Sequence, residues 1–286
     1  MTPFVTEVQI RWTDLDAQGH VNNVMVAEYL QEARVRFLLP GPAGTLLDNG
    51  CVVVGHQIAY RSPIMFDNEP LRVEVAVSEL GAARFAVAYR VEQSGRTAVE
   101  ARTTMCPFDL VRQTPRRLTA DEHAFLAEWR VDAEPLRPLA APVLNGRGTP
   151  LDVYTRWSDP DRYGHVNNVR FLDFALAGRV DMTSRADASM ARVGMDNPDA
   201  VRWLIARQDI DYLAQLRYRL TPHRVLTAPF ALGSTSISLT SEIIDPDDGT
   251  VCARARSVLV CADEQGSKRL LPGSARAALE ALLVGT

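Results

Sequence analysis

The stretch Arg11 to Val24, RWTDLDAQGHVNNV, is written twice: Arg156 to Val169 reads RWSDPDRYGHVNNV, 145 residues further on, with ten of fourteen positions identical. Identity that dense at one offset marks a duplication, and a repeat at half of 286 residues divides the chain into two domains. Asp14, Asp16, Gly19, His20, Asn22 and Asn23 return as Asp159, Asp161, Gly164, His165, Asn167 and Asn168. Leu15, Ala17 and Gln18 become Pro160, Arg162 and Tyr163. The polar groups persist while the residues between them drift.

The flanking patterns place the motif. Val8, Ile10 and Trp12 alternate with Glu7, Gln9 and Arg11, which predicts a strand over Val5 to Trp12. After the motif, Val24, Val26, Leu30, Ala33, Phe37 and Leu38 recur at helical spacing until Pro40 and Gly41, so a helix is expected from about Asn23 to Leu39. Asn22 or Asn23 then caps its first turn. Alternating runs follow at Cys51–Tyr60, Leu71–Val77, Phe85–Val91 and Ala98–Phe108, separated by turn residues. One strand, one long helix and then strands is an α+β order.

Glu134 to Pro150, with four prolines and two glycines, reads as a linker between a domain at 1–133 and another at 151–286. The order then repeats: a strand at Leu151–Trp157, the motif, and a helix from about Asn168 to Met182 with Val169, Leu172, Leu176 and Val180 as its apolar side. A polar excursion covers Thr183–Asp199, and strands follow at Trp203–Tyr212, Arg224–Phe230, Ser234–Ile243 and Val251–Cys261, closed by a short helix rich in Ala and Leu.

A net charge of −4 gives no basic field for nucleic acid, and no apolar run approaches the roughly 20 residues that cross a membrane. The beginning MTPFVTEVQIRW has neither a basic start nor a continuous apolar segment, so a cytoplasmic protein is expected. Cys51, Cys106, Cys252 and Cys261 form no CxxC pair, and no two histidines stand at ligand spacing; neither a disulfide nor a metal is expected.

Carboxylate, imidazole and unpaired amides at a helix N-terminus are the parts that activate water and hold an oxyanion. For Asp14 and Asp159 the turn-building reading is favoured, because Asx side chains routinely build such loops. For Asp16 with His20, and Asp161 with His165, retention of both groups in a diverged repeat favours chemistry.

DLDAQGHVNNVMVAEYLQEAR resembles the signature of the hotdog-fold acyl thioesterases, the superfamily that includes 4-hydroxybenzoyl-CoA, long-chain acyl-CoA and acyl-ACP thioesterases. DPDRYGHVNNVRFLDFALAGR is similar through HVNN and then departs, and QIAYRSPIMFDNEPLRVEV resembles the family's next strand, turn and strand. The resemblance implies two tandem hotdog domains, each a long central helix wrapped by an antiparallel sheet, as if a dimer were fused into one polypeptide. It implies catalytic roles for Asp16, His20, Asp161 and His165, with Glu32 as the family's helical glutamate, whose second counterpart is Ala177. Asn22, Asn23, Asn167 and Asn168 would cap the helix and supply the oxyanion amides. Gln18 and Tyr163 would stand near the substrate, with Arg61 and Arg84 holding an anionic carrier.

The function implied is hydrolysis of an acyl-CoA or acyl-carrier-protein thioester in fatty acid metabolism. The acyl chain would lie between helix and sheet along residues such as Val26, Leu30 and Phe37, although for these three the reading as plain core is favoured. No cofactor is expected beyond the CoA or phosphopantetheine of the substrate, and a homodimer of the fused chain stays open. Two alternatives remain: a non-catalytic acyl-CoA or acyl-carrier binding module, and a hotdog hydratase or dehydratase.

Overall fold

The computed structural model describes residues 2–16, 19–190, 201–263 and 266–285. The chain forms two compact units, Met1–Arg137 and Pro138–Thr286, so the division falls inside the proline-rich segment. In the first unit the order is β1 (Phe4–Val8), α1 (Asn23–Leu38), α2 (Gly44–Asn49), β2 (Cys51–Tyr60), β3 (Leu71–Leu80), β4 (Phe85–Gln93), β5 (Arg96–Asp109), β6 (Thr114–Pro115) and α3 (Ala120–Glu128). Its antiparallel sheet runs β1-β3-β4-β5-β2, with β6 paired to β5.

In the second unit the order is β7 (Thr149–Val153), α4 (Arg170–Ala186), β8 (Arg202–Tyr212), β9 (His223–Leu232), β10 (Ser236–Ile244), β11 (Val251–Ala262) and α5 (Gly273–Ala281). Its sheet, β7-β9-β10-β11-β8, repeats the first strand for strand. Each unit is thus an α+β layer pair with one long helix, the double hotdog arrangement. Among the described residues no helix is long and apolar enough to cross a membrane.

In the first unit α1 buries Val24, Val26, Leu30, Ala33, Phe37 and Leu38. Alternate sheet residues Leu71, Val73, Val75 and Val77, with Phe85, Val87 and Val91, are buried too, the period of two expected of a half-covered sheet. At the far end of α1, Phe37 meets Phe4, Phe125 and Trp129 at ring distances of 5.6, 5.6 and 5.8 Å. Phe125 belongs to α3, whose start is a capping box: the Thr119 hydroxyl accepts from the Glu122 amide and the Glu122 carboxylate accepts from the Thr119 amide. The sequence TADE carried that signal.

Three expectations need correction. β1 stops at Val8, and Trp12–Asp14 form a 3₁₀ turn in which Trp12 is 72% exposed. β7 likewise stops at Val153, short of Trp157. The alternation through Ile10 suggested a longer strand, but the Asp14 carboxylate turns the backbone by accepting from the Arg11 amide at 2.9 Å. The third concerns α4, whose buried face runs through Phe171, Leu172, Ala175, Gly178, Arg179 and Met182, leaving Leu176 and Val180 only half-buried. Gly178 sets that rotation, since a Cβ there would lie 2.6 Å from Thr227 Oγ1 and 2.8 Å from Val225 Cγ1 of β9.

The proline-rich segment holds no helix or strand before Thr149, yet it is pinned to its own unit at both ends. Arg102 donates to the Glu134 carbonyl at 2.6 Å, and Leu144 is buried among Leu226, Ala228, Phe230 and Val284. Of the polar excursion, α4 continues to Ala186 and a 3₁₀ turn covers Ala188–Met190; residues 191–199 lie outside the described residues.

Two outcomes are expected. Gly178→Leu overpacks the contact between α4 and β9 and lowers stability by about 1–3 kcal/mol, read as a fall in the urea midpoint. The second concerns His56, which is buried, with its pKa held at about 3 rather than 6.5, by burial first and by the Arg34 charge second. Between pH 6.5 and about 3 the unfolded chain therefore binds a proton that the folded one does not, so stability falls by about 1.4 kcal/mol for each unit by which the pH is lowered through that window. His56→Gln, the residue that Gln208 supplies in the second unit, is expected to flatten the profile of Tm against pH across that window. An unchanged profile would show that folded His56 accepts the proton.

Candidate active site

Each motif forms a small closed loop between the first strand and the long helix of its unit. In the first copy the Asp14 amide donates to the Arg11 carbonyl at 3.0 Å and the Asn22 amide donates to the Asp14 carbonyl at 2.8 Å. The second copy repeats these bonds at 3.0 Å, Asp159 to Arg156, and 2.9 Å, Asn167 to Asp159. Within that frame the Asp16 amide donates to the His20 carbonyl at 2.7 Å and the Gly19 amide to the Asp16 carbonyl at 3.0 Å; the Asp161–His165 and Gly164–Asp161 bonds are 2.8 and 3.0 Å. Gly19 and Gly164 have φ of 76° and 77°, the left-handed region that glycine enters without strain. The loops are one structure built twice.

The aspartates divide into two kinds. Asp14 and Asp159 are buried, 4% and 8% exposed, and spend their carboxylates on the loop. Asp14 Oδ2 accepts from the Arg11 amide and, at 2.6 Å, from the Tyr29 hydroxyl of α1. Burial, and then the Asp14 hydrogen bond and charge, push the Tyr29 phenol well above its ordinary value. Asp159 takes the Arg156 amide at 2.7 Å, but Phe174 stands where Tyr29 did, so the phenol bond is absent there.

Asp16 and Asp161 are half-buried, as are His20 and His165. Asp16 Oδ1 accepts from the His20 amide at 3.2 Å, and Asp161 Oδ1 from the Tyr163 amide at 2.8 Å. Tyr163 is itself half-buried, with the Arg162 guanidinium 5.9 Å from its ring centre. Gln18 lies outside the described residues.

The asparagines start the helices. Asn22 caps α1, its Oδ1 accepting from the Val24 amide at 3.2 Å; Asn167 Oδ1 accepts from the Val169 amide at 3.1 Å, but α4 begins only at Arg170, with Val169 at its N-cap, so Asn167 builds the turn ahead of that helix. The Met25 amide is also taken, by the Asn22 carbonyl at 2.8 Å. Tyr60 at the end of β2 donates to the Asn23 carbonyl at 3.0 Å, and Tyr212 at the end of β8 donates to the Asn168 carbonyl at 2.8 Å. Sequence reasoning missed these two tyrosines, which lock the first helical turn to the sheet beside the loop; their signal was the shared final residue of the aligned strands.

Three other sequence-derived candidates do not join the loops. Glu32 follows Asn22 by ten residues, about 15 Å along the helix, and is 48% exposed in an ion pair with Arg36 at 2.6 Å. Arg61 lies near the loop, but its Nε and Nη2 both donate to Glu100 Oε2, at 2.9 and 2.6 Å. Arg84 stands in the β3–β4 turn, at the opposite end of β3 from Val8, which pairs with Leu71, and a ten-residue strand spans about 33 Å. No three His, Cys, Asp or Glu side chains among the described residues gather as a metal site. All four cysteines are free thiols, Cys51 and Cys252 pushed up to about 12 and about 11, mainly by burial.

The family model of the thioesterase-like superfamily matches residues 10–136 and 155–279. The chain belongs to that superfamily, carrying its domain twice. No curated protein matches it by sequence. Among solved structures, it is similar to the 12:0-ACP thioesterase from Umbellularia californica, with a TM-score of 0.71 at 15% identity over 90% of this chain and 97% of that one. It is also similar to a putative oleoyl thioesterase from Lactobacillus plantarum, with a TM-score of 0.72 at 12% identity over 91% and 97%. A third likeness is to an acyl-ACP thioesterase from Bacteroides thetaiotaomicron, with a TM-score of 0.65 at 15% identity over 90% and 97%. At these identities the likeness concerns the fold.

One outcome separates the structural aspartate from the exposed pair. Tyr29→Phe, which gives the first loop the second's chemistry, is expected to cost about 1.5–3 kcal/mol, the range for a hydrogen bond to a charged group. Glu32→Gln loses only an exposed pair worth under about 1 kcal/mol. Urea titrations of both variants would show the difference, and equal costs would contradict it.

Proposed function

We propose that the chain hydrolyses an acyl thioester, carried by CoA or by an acyl carrier protein, at its motif loops. One observation carries this reading: the same backbone cage is built twice, and in both copies it leaves an Asp and a His half-buried beside the start of a long helix. Superfamily membership and the acyl thioesterases among similar structures support the substrate class.

In this mechanism the Asp16 or Asp161 carboxylate takes a proton from water as its oxygen attacks the thioester carbonyl. The positive end of α1 or α4 stabilises the negative oxygen of the tetrahedral intermediate. Collapse breaks the C–S bond, the thiolate takes the proton back, and free acid and thiol leave. His20 or His165 orients the carboxylate or the water. Direct attack by the carboxylate would instead form an anhydride that water then opens, and a single turnover in ¹⁸O-labelled water distinguishes the two by the label left in the enzyme or the product.

Because the Val24 and Met25 amides are engaged by Asn22, Asn22 serves as the cap that sets the start of α1, and the helix dipole rather than those amides stabilises the oxyanion. The site takes its CoA or phosphopantetheine with the substrate.

The test is thiol release from short, long and aromatic acyl-CoAs and from acyl carrier protein, by wild type, Asp16→Asn, Asp161→Asn and the double variant. The double variant is expected to lose at least about 10²-fold in kcat, the lower end of general-base contributions. Loss in only one single variant names that loop as the working one. A wild type that binds these thioesters but releases no thiol would leave a binding module in place of the enzyme.

A further inference from the structure

Two tryptophans stand at the same place in the two motifs, Trp12 two residues before Asp14 and Trp157 two before Asp159. They are 72% and 83% exposed. Each meets, edge to face, a ring from the loop after the second strand of its own unit. Trp12 meets Phe66 at 5.5 Å and 85°, and Trp157 meets Tyr218 at 5.3 Å and 89°. Phe66 and Tyr218 lie six residues beyond Tyr60 and Tyr212, the last residues of β2 and β8. Such a contact leaves most of the indole in water, where its apolar surface gives the fold nothing. An apolar platform held out to solvent in this way marks a contact surface.

The platform is common to both units, but the charge beside it is not. Arg217 and Arg219 flank Tyr218 where Met65 and Asp67 flank Phe66, and Arg162 stands in the loop where the first copy has Ala17; Arg156 is matched by Arg11. Arg219 is spent on the fold. Its Nη1 and Nη2 donate to Asp245 and Asp247 at 2.6 and 2.8 Å, and its amide and carbonyl both bond the Thr155 hydroxyl at 3.2 Å. Those bonds lay the segment before Trp157 beside the segment that carries Tyr218, and His223 Nε2 holds the Arg217 carbonyl at 3.2 Å. Arg156 and Arg217, each next to one of the two rings in sequence, are exposed, and among the described residues neither side chain has a hydrogen bond or ion pair. At the first platform Asp67 supplies a negative charge instead, its carboxylate accepting from Gln93 at 3.0 Å. The second unit thus sets two uncommitted guanidinium groups beside an aromatic face that its backbone holds in place.

We propose that the second unit binds the nucleotide end of CoA at this face, the adenine stacking on the Trp157–Tyr218 pair and Arg156 and Arg217 holding the phosphates. This rests on the thioesterase reading and chooses between its two carriers: phosphopantetheine is common to CoA and a carrier protein, whereas the adenine nucleotide belongs to CoA alone. Any base presents a face that stacks on an aromatic ring, and the fork of N–H donors on arginine matches a phosphate. Four residues separate Trp157 from Asp161, at most about 14 Å of chain, a gap that the pantetheine arm of a bound CoA crosses.

The experiment measures, by calorimetry on the full chain, binding of adenosine 3′,5′-bisphosphate, CoA and 4′-phosphopantetheine to wild type, Trp157→Ala, the double variant Arg156→Gln with Arg217→Gln, and Trp12→Ala. Wild type is expected to bind the bisphosphate and CoA, less tightly as salt rises, and 4′-phosphopantetheine more weakly than either. Trp157→Ala should weaken the bisphosphate about tenfold, within the range for one lost stacked base. The arginine variant, which keeps both rings, should weaken it as much and lose most of the salt dependence, while Trp12→Ala should bind as wild type does. No binding by wild type, or unchanged binding by Trp157→Ala, overturns the proposal, as does a loss in Trp12→Ala equal to that in Trp157→Ala. Thiol release separates the carriers: if Trp157→Ala slows an acyl carrier protein as much as it slows the matching acyl-CoA, the face docks protein and the nucleotide assignment falls. If the bisphosphate binds as expected while no thioester releases thiol, the nucleotide site stands and the thioesterase reading falls.

Discussion

Asp14 fixes four pieces of backbone at once. Its amide and carboxylate both bond Arg11, its carbonyl takes the Asn22 amide, and its remaining carboxylate capacity takes the Tyr29 hydroxyl from the helix. The strand's end, the loop's two ends and the first turns of α1 thereby acquire one geometry. A carboxylate this deeply buried is tolerable only with such partners. Its second-copy counterpart lacks the phenol and is slightly more exposed, yet the backbone bonds keep the same lengths to within 0.1 Å. The cage is therefore a property of the main chain and the Asp, and the tyrosine reinforces it in one unit.

What was legible in the sequence follows from that cage. The duplicated motif named the two units, and Asn22 as cap, the long helices and the aligned strands were readable because capping and periodicity are local. The end of β1 was not, since the apolar alternation runs on past the point where a carboxylate three residues ahead turns the chain. Glu32 stands apart from the loops for a local reason: Arg36 four residues on is the ordinary partner of an exposed helical glutamate. Arg61 could not have been resolved from its neighbourhood, because its partner Glu100 lies 39 residues away and meets it only through the pairing of β2 with β5.

The two units share their loops and differ inside. In the second, charges that the first lacks are paired and put to structural use: Arg207 grips the fully buried Asp209, which also takes the Leu139 amide at 3.5 Å, and Arg254 grips Glu242, which takes the Leu144 amide at 3.2 Å. These pairs lay the proline-rich segment onto the sheet of its own unit. Asp209 is thereby spent on holding chain.

That contrast bears on why the motif has resisted change. The loop asks for an Asp that can fold back, a Gly at positive φ and an Asn that can cap; these account for Asp14, Gly19 and Asn22 and their copies. His20 and His165 enter the cage through main-chain atoms alone, and any residue could supply an amide and a carbonyl there. Asp16 Oδ1 accepts from the His20 amide and Asp161 Oδ1 from the Tyr163 amide, so each carboxylate also helps to close its loop. An imidazole kept in both copies, where the cage uses only its main chain, is the group that the proposed hydrolysis would ask to orient the carboxylate or the water.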